Sequence, residues 1–265
     1  MISLYAYHEQ HTAVYSLMDS VVHSNLQKLV GTVEESSQGI ERLRDSLNVN
    51  YLRIAQCVSA LIAADTSLLR PENMQQLAEE IGVPEIHISD RNGILRWGNI
   101  PSFYGYDYAS SIQSSAFLPA LENPEFALAQ AATPRGIDST LFQYIGVARQ
   151  DSPGIVQIGV EPRELERLVY NNRLERIAGN ARFGQNGFFL VANTDGVLLY
   201  HPDANMLGKN LHDYSCFDSV FAPDISNVDS EEDVIQFLVD GEKMYAAFTR
   251  HQDYIIIAGI PQREF

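Results

Sequence analysis

Along the first quarter of the chain, Val22, Leu26, Leu29, Val33, Ile40, Leu43 and Leu47 follow one another at alternating spacings of four and three, with Ser36 filling the one gap. That is a heptad stripe on a long helix. Charged residues such as Glu34, Glu35, Glu41, Arg42, Arg44 and Asp45 take the other faces. Residues 3–64 contain no Pro, and Gly only at Gly31 and Gly39. After "NVNY" the stripe resumes with Ile54, Val58, Leu61 and Ile62. A helix of about 60 residues would be about 90 Å long at 1.5 Å per residue, longer than one compact domain. It would run along more than one domain or form a dimer seam. The other reading is two shorter helices broken between Asn48 and Tyr51.

Beyond residue 66 the pattern changes. "RPENMQQLAEEIG" predicts a short helix closed by Gly82. "EIHISDRNGILRWGN", "FALAQ", "LFQYIGVARQD" and "GIVQIGVEP" read as strands with turn signals between them. "RELERLVYNNRLERIAGN" predicts a helix with Leu165, Leu168, Val169 and Ile177 on one face. Strand patterns then return in "GFFLVA", "GVLLYH", "DVIQFLVDGEKMYAAFTR" and "YIIIAGI". The second set repeats the first. Gly93 falls on Gly196 at an offset of 103, with Asn92 on Asp195 and Trp97 on Tyr200. "YIGVARQ" falls on "YAAFTRH" at 101 and "GIVQIGV" on "YIIIAGI" at 100. Three matches in one order point to a duplicated antiparallel unit. The fold class expected is α+β: a long N-terminal helix, then two tandem antiparallel-sheet units.

Charge narrows the partners. Eighteen Lys and Arg against 34 Asp and Glu leave a net charge of −16, which argues against nucleic acid and against an anionic lipid surface. Two cysteines, Cys57 and Cys216, make no disulfide framework. No apolar run is long enough to cross a membrane, and "MISLYAYHEQHTAVYS" lacks the basic flank and apolar core of a signal peptide. Either the protein is cytoplasmic or the chain is a piece from between membrane anchors. No Cys/His cluster suggests zinc. "ARFGQNGFF" lacks the Lys-Ser/Thr of a phosphate loop, and no G-x-S-x-G elbow is present. No catalytic residue, metal or cofactor is expected.

The whole order of elements, with "ISDRNGILRWGN", "FQYIGVARQDSPGIVQIGV" and above all "GQNGFFLVANTDGVLLYHPDANMLGKNL", resembles the double Cache family of tandem PAS-like sensor domains. The resemblance covers nearly the whole chain. It implies an extracytoplasmic sensing domain of a transmembrane receptor, joined to a histidine kinase, chemotaxis transducer or cyclic-dinucleotide enzyme. It divides the chain into a signalling and dimerisation helix (1–65), a membrane-distal ligand-binding unit (66–162) and a linker helix with a membrane-proximal unit (163–265). The heptad stripe points to homodimers through the first helix. Membrane anchors would lie in segments absent from this chain. The alternative is an ectodomain that reads a periplasmic protein partner or serves structurally, without a small ligand.

The ligand face is legible from alternation. Tyr144 and Gly146 share one face of their strand, and Gln157 and Gly159 share one of theirs, opposite Ile145, Val147, Val156, Ile158 and Val160. Glycines within strands mark close approach by a ligand or another backbone. Tyr144 is the leading candidate, with Gln157 beside it. "GNIPSFYGYDYASSIQSSAFLPAL" would form a lid contributing Tyr104, Tyr106 and Phe117, with Trp97 just before it as wall or core. Arg135 would hold a carboxylate and Asp138 an ammonium group. The amino-acid-binding members of the family carry a Tyr, Arg, Trp, Tyr cluster in this region. "RWGNIPSFYGYDY" has the residue types without that spacing, so a small carboxylate or another small polar metabolite is expected. His201, in "DGVLLYHPD", reads as a strand exit of the second unit.

Overall fold

The computed structural model describes residues 2–134, 141–221, 234–239 and 241–265. One helix, α1 (Ile2–Ala64), spans the whole of the first segment without a break. The expected weak point at 48–51 stays helical, and Asn48 there accepts a hydrogen bond from Gln143 Nε2 at 2.7 Å. Two compact units follow from the packing: residues 40–167, and residues 1–39 together with 168–265. This differs from the three-part division expected above, because the two halves of α1 belong to different units.

In the 40–167 unit, α2 (Pro71–Ile81) starts on a proline and stops at Gly82, whose φ of 72° lies in the left-handed region. The strands are β1 (Glu85–Ser89), β2 (Leu95–Gly98), β3 (Ala127–Ala129), β5 (Leu141–Ala148) and β6 (Ile155–Val160), ordered β2-β1-β6-β5-β3, with β4 (Thr133–Pro134) also paired to β5. One face of this sheet, with Ile86, Ile88, Ile145, Val147, Val156 and Ile158, packs on Ala55, Val58 and Ile62 of α1 and on Met74 and Leu77 of α2. Each fully buried aliphatic side chain contributes roughly 1.5–3 kcal/mol. The other face lies under residues 99–126, which form short 3-10 turns and the one-turn helix α3 (Ile112–Ser115). Asn99 anchors this cover: its Oδ1 accepts from Ile86 N at 2.7 Å and its Nδ2 donates to Pro84 O at 2.9 Å.

Across the boundary at 167/168 the expected single helix over 163–180 is two helices, α4 (Arg163–Asn171) and, in the other unit, α5 (Leu174–Asn180). Arg173 between them is extended, with ψ of 140°. The interruption resets the buried face. Leu174 and Ala178 are buried, whereas Val169, expected inside, is 41% exposed. The sheet has the order β8-β7-β11-β10-β9, from β7 (Phe188–Asn193), β8 (Leu198–Tyr200), β9 (Val234–Val239), β10 (Glu242–His251) and β11 (Tyr254–Pro261). Met18, Val22, Leu26, Leu29 and Val33 of α1 are buried against Val191, Ala247, Ile256 and Ala258 of this sheet. The first half of the heptad stripe is therefore used within the chain, and Ile40, Leu43 and Leu47 stay half-buried.

The two sheets share one strand order, and hydrogen bonds carry the repeat into the loops. Tyr108 N donates to Gly93 O, and Leu211 N to Gly196 O, at 2.9 and 2.8 Å. Gly93 and Gly196 both sit at positive φ, 73° and 83°, which the turn requires and a side chain disfavours. Ladder register corrects one expected match. Tyr144 pairs with Gly159, which pairs with Glu85; Ala246 pairs with Gly259, which pairs with Phe188. Tyr144 thus corresponds to Ala246 and not to Tyr245. The expected match was slipped by one residue, and one residue along a strand exchanges the two faces. Tyr245 lies on the helix-covered face, among Val22, Leu26 and Ile256.

Candidate functional site

Between the sheet of the 40–167 unit and its 99–126 cover lies a cavity of about 310 Å³. The sheet supplies His87 from β1, Leu95 from β2, Tyr144 from β5 and Gln157 from β6. The cover supplies Phe103, Tyr106, Tyr108, Ser114 and Phe117, and Gln113 and Gln130 close one side. The volume sits at the small end of the range for ligand pockets.

The strand glycines explain how the cover seats. A Cβ on Gly146 would run into the Phe117 ring, and one on Gly159 into the Phe142 ring. The close approach expected there is made by the chain's own aromatic rings. Phe117 is fully buried as a result.

The polar groups form two connected sets. Tyr108, 1% exposed, donates its hydroxyl to Gln157 Oε1 at 2.9 Å. Burial first, and then Tyr144, Tyr106 and Glu85 nearby, push the Tyr108 phenol far above its ordinary range. It therefore acts as a fixed hydrogen-bond donor and not as an acid. In the second set, Glu85 pairs with His87 Nε2 at 2.9 Å and accepts from the Tyr144 hydroxyl at 3.2 Å. Glu85 and His87 are 4% and 3% exposed. Two buried atoms on this wall have no protein partner: His87 Nδ1 and Gln130 Oε1. Leaving a buried polar atom unmatched costs about 1–3 kcal/mol, and both atoms belong to residues that line the cavity. At the rim, the Tyr106 hydroxyl and Ser114 Oγ lie 3.0 Å apart, and Ser114 Oγ donates to Tyr108 O at 2.7 Å.

Four sequence candidates, Tyr144, Gln157, Tyr106 and Phe117, come together around this cavity. Tyr104 packs in the neighbouring apolar cluster and donates its hydroxyl to Gly98 O at 2.7 Å, outside the lining. Trp97 lies on the opposite face. It packs with Ile86 and Ile88, under the Arg149 guanidinium 5.1 Å from its ring centre. A register shift between Ile88 and Ser89, where β2 pairs, accompanies that placement. Arg135 and Asp138 lie outside the described residues. The candidates omitted Glu85, His87 and Tyr108. The signal for Glu85 and His87 was present in "EIHIS", where they alternate with Ile86 and Ile88, which puts two ionisable groups on the Gln157 face; Tyr108 stood in the lid stretch itself.

His201 stands just after β8 and accepts a hydrogen bond from Asp203 N at its Nδ1, 2.9 Å. Cys57 and Cys216 are both free thiols. Among the described residues no cluster of three His, Cys, Asp or Glu side chains is placed to hold a metal ion.

No protein-family model matches the chain, and no curated protein matches it in sequence. Among solved structures it is similar to several sensory domains. One is the sensor domain of the V. cholerae histidine kinase DctB (12% identity, 89% of this chain and 98% of that one, TM-score 0.43). A second is the ligand-binding domain of the Campylobacter jejuni chemoreceptor Tlp3 in complex with L-valine (10% identity, 93% and 96%, TM-score 0.39). A third is that of the Pseudomonas fluorescens chemoreceptor CtaA in complex with L-alanine (14% identity, 87% and 96%, TM-score 0.37). Within the described residues no helix is long and apolar enough to cross a membrane.

Proposed function

We propose that this chain is the extracytoplasmic sensing domain of a transmembrane signal-transduction receptor, and that it binds a small polar organic ligand in the cavity of the 40–167 unit. On this reading that unit is the membrane-distal one, and the chain binds without turnover. The observation that carries the proposal is a roofed cavity lined by residues that hold both matched and unmatched polar groups. Tyr108 and Gln157 are fixed by each other, while His87 Nδ1 and Gln130 Oε1 remain unbonded. The described wall offers phenol, amide and imidazole groups and contains no Arg or Lys. Arg135, the expected carboxylate partner, lies outside the described residues; an uncharged polar metabolite needs no such cation. Dimers would form through Ile40, Leu43 and Leu47, the part of the α1 stripe left half-buried.

Thermal-shift screening against a metabolite library tests the proposal. A ligand at 100 times its Kd adds about 2.7 kcal/mol to the unit that binds it. The expected result is saturable stabilisation by at least one small polar compound, lost in Tyr144→Ala. A library without hits, together with a periplasmic protein retained on the immobilised chain, would replace this reading with the protein-partner alternative.

A further inference from the structure

The repeat places a second cavity in the other unit. We propose that the unit of residues 1–39 and 168–265 carries its own ligand site, selective for an uncharged hydrophobic small molecule. The cavity is about 600 Å³ and lies between the sheet face turned away from α1 and the turns of residues 201–221. Its walls include Phe188, Leu198, Met206, Phe217, Phe237 and Met244.

The register shows what the duplication kept and what it changed. Phe188 stands where the first unit has Glu85, since each pairs with the corresponding glycine, Gly259 or Gly159. Leu190 stands in the place of His87, and Ile257 in that of Gln157; the two pair with each other as His87 and Gln157 do. Leu211 stands in the place of Tyr108, since each donates its backbone N–H to the turn glycine. The hydrogen-bonded pair Tyr108–Gln157 has become the apolar pair Leu211–Ile257 in one buried cluster. The buried hydrogen-bonded pair Glu85–His87 has become Phe188 and Leu190. The roof is in place and the space is larger, but the polar floor is gone.

The remaining polar groups suit an uncharged guest. Burial holds the His201 imidazole below its usual pKa, against the smaller raising effect of Asp203. Its Nδ1 is engaged by Asp203, 2.9 Å from the backbone N and 3.1 Å from the backbone O, so a bond to a guest would come from Nε2. Asp203 Oδ1 is engaged by Asn205 N and Nδ2, both at 2.9 Å. Asn186, Tyr214 and Cys216 also reach the lining, but most of the wall is apolar and gives an apolar molecule extensive dispersion contact.

Indole titrated into the whole chain by calorimetry and ligand-observed NMR tests this site without relying on the proposal for the first cavity. The expected result is saturable binding with a negative heat-capacity change. Met206→Trp, a partly exposed position on the cavity wall, should weaken indole at least tenfold, whereas Tyr144→Ala should leave it unchanged. In crystals soaked with 5-bromoindole, the bromine should lie among Phe188, Phe217 and Met244, a readout that needs no variant. No saturation in the unaltered chain overturns the proposal. So does loss of binding in Tyr144→Ala, or bromine located only in the first cavity.

Discussion

The Tyr108–Gln157 hydrogen bond offers a measurement of how much the polar cavity relies on its internal pairing. Both residues are buried, at 1% and 6% exposure. Tyr108→Phe removes the hydroxyl with little change of shape and leaves Gln157 Oε1 without its donor, at a cost of about 1–3 kcal/mol. Gln157→Leu leaves the phenol without its acceptor, at a similar cost. The 310 Å³ space beside the pair admits water. Water can rebond a freed group, which places each single cost nearer to about 1 kcal/mol. The double variant removes both partners and restores an apolar pair like Leu211–Ile257, so it should be nearly neutral. Trp97 is the only tryptophan and belongs to the 40–167 unit, so its fluorescence during urea unfolding reports this unit. With a slope of about 1–3 kcal/mol per molar urea, each single variant should lower the midpoint by roughly 0.3–1 M. The double variant should return close to the starting midpoint, giving a coupling of about 1 kcal/mol or more. Additive losses in the double variant would refute the reasoning, because they would mean that the two groups do not satisfy each other.

Further outcomes follow from the packing. Gly146→Ala should destabilise the 40–167 unit by about 1–3 kcal/mol, because its Cβ meets the Phe117 ring, again read by Trp97 fluorescence. Leu26→Ala, at a site 1% exposed, should cost about 2–5 kcal/mol by circular dichroism, whereas Ile40→Ala, half-buried, should cost much less. Leu43→Glu should leave the fold intact and abolish any dimer seen by analytical ultracentrifugation. Acid should weaken the 40–167 unit. Burial pushes Asp151 up, but its bonds to Arg149 and the Arg149 charge outweigh it and hold the carboxyl below its ordinary value. Asp90, bonded by Arg96, Ile94 and Asn92, is likewise lowered against the larger single effect of burial. A carboxyl depressed in the folded state stabilises above its unfolded pKa, and the contribution fades as pH falls through the folded one. The urea midpoint should therefore drop below about pH 4 and flatten in Asp90→Asn with Asp151→Asn.

Much of the architecture was legible in the chain because it depends on short-range periodicity. The seven-residue spacing of Val22 to Leu47 marked the long helix. Alternation in "FQYIGVARQ" and "GIVQIGV" separated the two sheet faces, and the Gly93 and Gly196 turns revealed the duplication. Candidates on strands, Tyr144 and Gln157, fell on the face of the cavity because alternation dictates which side a strand residue takes. Other outcomes depended on contacts distant in sequence. Trp97 turned away from the cavity, and Gly146 and Gly159 proved to receive Phe117 and Phe142, which periodicity cannot reveal. The ladder, and not residue similarity, showed that Tyr144 answers to Ala246. The break at Asn172 and Arg173, which moved Val169 to the surface, likewise left no period to read. Local pattern thus determined most of the elements and the faces of the regular strands. Only the folded chain decided which of those side chains meet, because pairing register and loop seating are fixed by packing between residues far apart in sequence, 226 positions for Asp19 and Tyr245.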